Sequence, residues 1–171
     1  MGIDKMDNVG LQFDDCRPVA KVEENSRSFS LHNPNKYRIR CYRIDGEVIK
    51  DSMRCDYGIL TDFSDCKTKS EPQDNITPEN KQDETHNRQC RFYLIELKGT
   101  DLRHAAKQII ATHIYLEKRI QSCIFEARIV LSRVSCPNIR DTSVIELERR
   151  LAKTGGSLIK ASRFREETLI A

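Results

Sequence analysis

Residues 37–44, YRIRCYRI, alternate strictly: Tyr37, Ile39 and Cys41 fall on one face, Arg38, Arg40 and Tyr42 on the other, the period of a half-buried strand. Asp45-Gly46, a two-residue hairpin signal, follows at once, and the spacing predicts a return strand over 47–50, EVIK. A second compact strand is predicted over 55–60, CDYGIL. A third is predicted over 92–98, FYLIELK, whose nearly continuous apolar run suits a strand covered on both faces. After Gly99 the period changes to that of a helix, with Leu102, Ala105, Ala106, Ile109, His113, Leu116 and Ile120 on one stripe and Thr100 placed as its N-cap. Another strand is expected over 124–134, stopped by Cys136-Pro137. Ser143 and Glu146 then form a capping box ahead of a helix striped by Val144, Leu147 and Leu151 and ended by Gly155-Gly156. A last strand covers 157–162. At the front, 17–28, RPVAKVEENSRS, predicts a short helix with Pro18 in its first turn.

These elements run helix, hairpin, strand, strand, helix, strand, helix, strand. The final strand, helix and strand over 124–162 make a βαβ unit, whose strands lie parallel with the helix across one face. A chain of 171 residues has room for one domain with a real core, so residues 1–171 are read as a single α/β domain. Between the second and third strands, residues 65–90 hold one large aliphatic residue, Ile76, and are expected to form a long polar, mobile loop open to proteolysis.

Composition narrows the field. With 38% hydrophobic residues, 6% aromatics and no Trp, the core is expected to be mainly aliphatic, and a large aromatic-lined pocket is disfavoured. Seven cysteines at irregular spacing, without CxxC or a Cys/His ladder, indicate reduced thiols in a cytoplasmic protein. No apolar run of membrane-spanning length is present, and the first residues have neither the basic nor the apolar part of an export signal. Met6 stands where a myristoylation motif needs Ser or Thr. The net charge is +3, but residues 91–171 carry 15 basic and 9 acidic side chains, a net of +6, as binding to a phosphate backbone requires.

The chemistry gathers at the end of the third strand. Alternation sends Glu96 and Lys98 to one face and Leu97 to the other. Asp56 opens the CDYGIL strand, so if the two strands are neighbours its carboxylate reaches the same spot. Two carboxylates make a hard oxygen site suited to Mg²⁺ or Mn²⁺, with Lys98 free to orient a water or offset developing charge. Glu79-Asn80-Lys81 and Asp65-Cys66-Lys67 repeat the spacing, but they lie in or beside the polar loop, without a strand to hold them.

An Asp on one strand, E-x-K on the next, then a helix and a strand resemble the restriction-endonuclease-like, PD-(D/E)XK, nuclease superfamily, over about residues 20–134. The resemblance implies a mixed central sheet flanked by helices, an αβββαβ core with a C-terminal αβ addition. It also implies Mg²⁺-dependent cleavage of nucleic acid, DNA first, with Asp56 and Glu96 as metal ligands and Lys98 as the catalytic lysine. Cys55 occupies the place of the motif's proline, and the 40 residues from Asp56 to Glu96 are a long interval whose closure costs little, since loop entropy grows logarithmically. Many relatives place a further metal-binding glutamate on the first helix, where Glu23 and Glu24 stand, Glu24 being favoured. RecB-like relatives carry a Gln on the helix after E-x-K, which points to Gln108. A cutter of both duplex strands needs two sites, so the resemblance also implies a homodimer.

Asp101, His104 and Gln108 form a polar line on that helix, while His113 falls on its apolar stripe. Arg149, Arg150 and Lys153 lie away from the stripe of the last helix and, with Lys160 and Arg163 beyond it, are the candidate nucleic-acid contacts. The alternative to a nuclease is a nuclease-fold module that binds nucleic acid or a protein partner without cutting. A hydrolase using Cys and His is a third class, though no signature pairs a cysteine with a histidine.

Overall fold

The computed structural model describes residues 8–63, 90–120, 122–133 and 141–170. The strands are β1 (Leu11–Asp15), β2 (Val19–Glu24), β3 (Arg27–His32), β4 (Arg38–Arg43), β5 (Tyr57–Asp62) and β6 (Cys90–Glu96), followed by helix α1 (Leu102–Glu117) and β7 (Cys123–Leu131). Helix α2 (Thr142–Ala152), β8 (Leu158–Ser162) and β9 (Phe164–Thr168) complete the chain. One sheet has six strands in the order β1-β4-β5-β6-β7-β8, and a second has three in the order β2-β3-β9. In the larger sheet β1, β4, β5 and β6 are successively antiparallel, while β6, β7 and β8 run parallel.

Alternation along β6 builds the layers. Phe92 and Leu94 pack with Ala105, Ala106, Ile109, Leu116, Val144, Leu147 and Leu151, so α1 and α2 cover one face. Tyr93 and Ile95 pack with Ala20, Val22, Phe29 and Leu31, so the small sheet covers the other. The apolar run predicted to be covered twice is covered by helices on one side and strands on the other. Its fillers are mostly aliphatic, yet Tyr42, Phe29, Phe92 and Phe125 are the bulkiest fully buried side chains. The βαβ unit forms as expected, β7 and β8 pairing in parallel around α2. It is preceded by a second one, β6-α1-β7.

Several local expectations are corrected. Residues 17–28 are two strands and no helix: Ala20 and Val22 alternate with exposed Val19, Lys21 and Glu23. Asn25 and Ser26 take φ of 48° and 62°, the two left-handed residues that turn a tight hairpin. Residues 47–50 form no return strand, because β1 and β5 already occupy both edges of β4. Only an isolated bridge between Asp45 and Ile49 is left there. The helix caps are Asp101 and Asp141 in place of Thr100 and Ser143; their carboxylates accept the His104 and Ser143 amides. β6 starts at Cys90, the last residue assigned to the polar loop. The rest of that loop from Asp65 to Gln89, including Asp65, Lys67, Glu79 and Lys81, lies outside the described residues, as do Cys136 and Arg140. His113 is buried and edge-on to Phe125, as a core residue, but neither ring nitrogen has a hydrogen bond.

β9 had no apolar signature. It pairs in parallel with β3, and an ion network also ties it to β7: buried Arg128 reaches Glu126 at 3.2 Å and Glu167 of β9 at 2.7 Å. Glu126 also pairs with Arg91 at 2.7 Å and accepts from the Ser157 amide and hydroxyl. A buried charge needs this density of partners to be tolerated. Among the described residues no helix is long and apolar enough to cross a membrane.

Candidate active site

Three residues before β5 are fastened from two sides. Gln108 of α1 donates through Nε2 to the Arg54 carbonyl at 2.8 Å, and the Cys55 amide donates to Thr112 Oγ1 at 2.8 Å. The Thr112 hydroxyl in turn donates to the Gln108 carbonyl at 2.9 Å. From the other side, the Ile44 and Asp45 amides donate to the Asp56 carbonyl at 2.9 and 3.3 Å. The Arg54 guanidinium closes the 45–54 loop on Asp45 Oδ1 and on the carbonyls of Lys50 and Ser52. The backbone at Asp56 is thereby fixed before any ligand arrives.

Tyr57 pairs with Ile95 in an antiparallel register, which sets Asp56 opposite Glu96 on the helix-covered side. Asp56 Oδ2 accepts the Leu97 amide at 2.6 Å, locking its carboxylate against the end of β6. Glu96 is 0% exposed, and neither of its carboxylate oxygens has a hydrogen-bond partner. Lys98 Nζ lies 3.8 Å from Glu96 Oε1, too far for a hydrogen bond, and its side chain is 41% exposed. Burial, reinforced by the Asp56 charge and only partly opposed by Lys98, pushes the Glu96 carboxyl up to about 9. Asp56 is also raised, by burial first; the Leu97 amide and Lys98 oppose this, while the charges of Glu24 and Asp45 add to it. Without a cation, Glu96 is held protonated at neutral pH.

Asp56, Glu96 and Lys98 are thus brought together. Glu24 ends β2 at the hairpin tip, and its charge bears on both Asp56 and Tyr57, so it belongs to the neighbourhood though it stands on a strand and not on a first helix. Gln108 is nearly buried and spends its amide on Arg54, which makes it a positioning residue, with Oε1 left unpartnered. Asp101 is used as a cap. Among the described residues no three His, Cys, Asp or Glu side chains stand together as a ready metal shell. A cation held at this site would take Asp56 and Glu96 and complete its coordination with waters, the usual arrangement for Mg²⁺. The donor set fits: two hard carboxylates, one of them buried with both oxygens unsatisfied, which is costly unless something binds there.

The five candidate nucleic-acid residues fall into two groups. Lys160 pairs with Ile129, which pairs with Glu96, so Lys160 lies level with the site two strands away. Arg163 follows β8 at the same edge, its amide donating to the Leu131 carbonyl. Arg149, Arg150 and Lys153 end α2 and precede Thr154, whose hydroxyl accepts the Phe125 amide near the opposite end of β7. Four residues of strand separate Phe125 from Ile129, about 13 Å.

Sequence reasoning passed over Thr112, although its place four residues after Gln108 puts both on one helix face. It also passed over Arg27 and Ser132, whose side chains meet beyond the ends of β6 and β7, Arg27 Nη1 donating to Ser132 Oγ at 2.5 Å. No local signal marks that pair, 105 residues apart. The buried thiols of Cys41 and Cys55 are held protonated, Cys41 pushed up to about 12 and Cys55 higher still, in both cases by burial first. Neither is an activated nucleophile. No family model, no curated protein and no solved structure matches this chain.

Proposed function

We propose that the protein is a metal-dependent nuclease of the restriction-endonuclease-like kind, hydrolysing phosphodiester bonds in nucleic acid, DNA first. The observation that carries this reading is the Glu96 carboxylate, fully buried without a hydrogen bond to either oxygen, facing Asp56 and within 3.8 Å of Lys98. The order β4, β5, β6, α1, β7, with β6 and β7 parallel, agrees with the strand, strand, strand, helix, strand part of the expected core.

Asp56 and Glu96 would hold Mg²⁺ or Mn²⁺, with Glu24 as a further carboxylate at the rim. When bound, the ion supplies Lewis-acid polarisation of the scissile phosphate and a more acidic water. The chain provides the rest. The Leu97 amide and the Gln108 and Thr112 anchors keep Asp56 in place, which limits reorganisation during the reaction. Glu96 would give up its proton on holding a cation. Lys98, whose side chain is 41% exposed, would offer its ammonium to a nonbridging phosphate oxygen or to the attacking water. Cys16, Cys41 and Cys55 are free thiols, which supports a reduced setting. A homodimer would supply the second site needed to cut both strands.

The test is cleavage of labelled plasmid, linear duplex, single-stranded DNA and RNA in Mg²⁺, Mn²⁺ or EDTA, by the wild type and by Glu96→Gln, Asp56→Asn and Lys98→Ala. Divalent-dependent cleavage lost in all three variants is expected. Binding that persists in EDTA without cleavage in any metal would favour the binding-only module.

A further inference from the structure

Beyond the strand ends at the site, the backbone laces four segments into one rim. The Ser132 amide donates to the Gly99 carbonyl, the Arg163 amide to the Leu131 carbonyl and the Ser28 amide to the Arg163 carbonyl. Arg27 closes the circuit on Ser132 Oγ. This rim carries Lys98, Arg27, Arg133 and Arg163. Arg133 and Arg163 are exposed, and among the described residues neither guanidinium has an ion pair or hydrogen bond. Arg27 is half-buried with its Nε unpartnered. Arg163 holds φ of 64°, a left-handed conformation that a non-glycine residue rarely adopts.

The acidic groups of this edge are Asp56 and Glu96 at β5 and β6, and Glu24, the cross-strand neighbour of Arg27. Asp101 is tied to the first turn of α1, and Asp141 is paired with Arg103 at 2.6 Å. The β7–β8 end of the rim is left positive. At the far end of α2 the balance differs, for Arg150 is already paired with Glu146 at 3.0 Å.

We infer that the nucleic-acid backbone crosses the protein along this rim, held by Arg133 and Arg163 with Arg27 braced on Ser132, and not along the Arg149, Arg150 and Lys153 face of α2. The inference rests on the nuclease reading, since it supplies the path by which a phosphate reaches Lys98. The chemistry recognised is the phosphodiester backbone, because unpaired guanidinium groups form charge-assisted hydrogen bonds with phosphate oxygens. Arg27, through its bond to Ser132, holds the residue next to Arg133.

Binding of wild-type protein to a labelled 20-mer duplex, the matching single strand and an RNA of the same sequence would be measured in EDTA and again in Ca²⁺, over a range of salt. Each contacted phosphate contributes about 0.9 to the slope of log K against log salt for duplex DNA. The double variant Arg133→Gln/Arg163→Gln should therefore lose about 1.8 from the slope and on the order of 50-fold in affinity at 0.1 M salt, while its melting temperature holds. Arg149→Gln/Arg150→Gln/Lys153→Gln should stay within about twofold of wild type. The substrate that shows this difference identifies which nucleic acid is carried. Equal or greater loss in the triple variant, no loss in the double, or no wild-type binding to any of the three probes would overturn the inference. Because binding is read without turnover, a protein that fails to cut but shows this pattern refutes the nuclease reading alone.

Discussion

Glu96→Gln should change how stability depends on pH more than it changes stability at any one pH. In the unfolded chain Glu96 titrates near its ordinary value of 4.5, and in the metal-free fold burial raises it to about 9. Between those values the folded state holds a proton that the unfolded state has released, so unfolding becomes easier as pH rises. The slope is about 1.4 kcal/mol per pH unit. Stability is fully present below the unfolded value and falls by about 4 kcal/mol from pH 5 to pH 8, a large share of the 5–15 kcal/mol typical of a domain. Asp56, also raised, acts with the same sign. The Gln amide does not titrate, so the stability of the variant minus that of wild type should grow by about 4 kcal/mol over the same range. Taking this difference at two pH values cancels the unknown cost of burying the amide. Urea unfolding in EDTA at half-unit pH steps measures it. A difference that stays flat within about 1 kcal/mol would refute the claim that Glu96 is a desolvated carboxyl kept protonated by its site.

Adding Mg²⁺ at pH 8 should restore wild-type stability by about 2.7 kcal/mol at a hundredfold excess over Kd and leave Glu96→Gln nearly unchanged, as thermal melts in metal and in chelator would show. Thr112→Val strands the Cys55 amide and should cost 1–3 kcal/mol, with kcat for cleavage falling because Asp56 loses its anchor; unfolding and turnover on the same preparation separate the two effects. Arg128→Met leaves Glu126 and Glu167 without their buried guanidinium partner and should destabilise by about 3–5 kcal/mol, read from the urea midpoint at pH 7. Gly156→Ala places a methyl group against the Phe125 carbonyl and should cost at least about 1–3 kcal/mol by the same measurement, since backbone has to shift.

What could be read from the chain followed from periodicity. The 92–98 run and the helix after it have long, unambiguous patterns, and together with 55–60 they place Asp56, Glu96 and Lys98 within reach of one another. The register between β5 and β6 then sets the two carboxylates face to face. The hairpin of β2 and β3 was hidden because Glu-Glu-Asn-Ser reads as a polar helix end, while its strand character depends on two left-handed residues that are neither Gly nor Asp. β9 was hidden because its half-buried positions, Arg165 and Glu167, are charged: it pairs in parallel with β3 and bonds Arg128 of β7 through Glu167, which leaves no alternating apolar trace. The anchors of Asp56 are partly legible: Gln108 stands out as one of a polar line on its helix, Thr112 does not. The five basic candidates could not be separated into two ends of the sheet from spacing alone. That division appears only when Thr154 is seen beside Phe125 and Arg163 beside Leu131.

The central claim is that Asp56, Glu96 and Lys98 form a metal-dependent phosphodiesterase site. Its most direct test is single-turnover cleavage of labelled DNA by wild type and Glu96→Gln at pH 8, with Mg²⁺ and with EDTA. Cleavage by wild type in Mg²⁺ alone, abolished in a folded Glu96→Gln, is the predicted result. Cleavage that survives in EDTA or in the variant, or its absence with every nucleic acid offered, would contradict it.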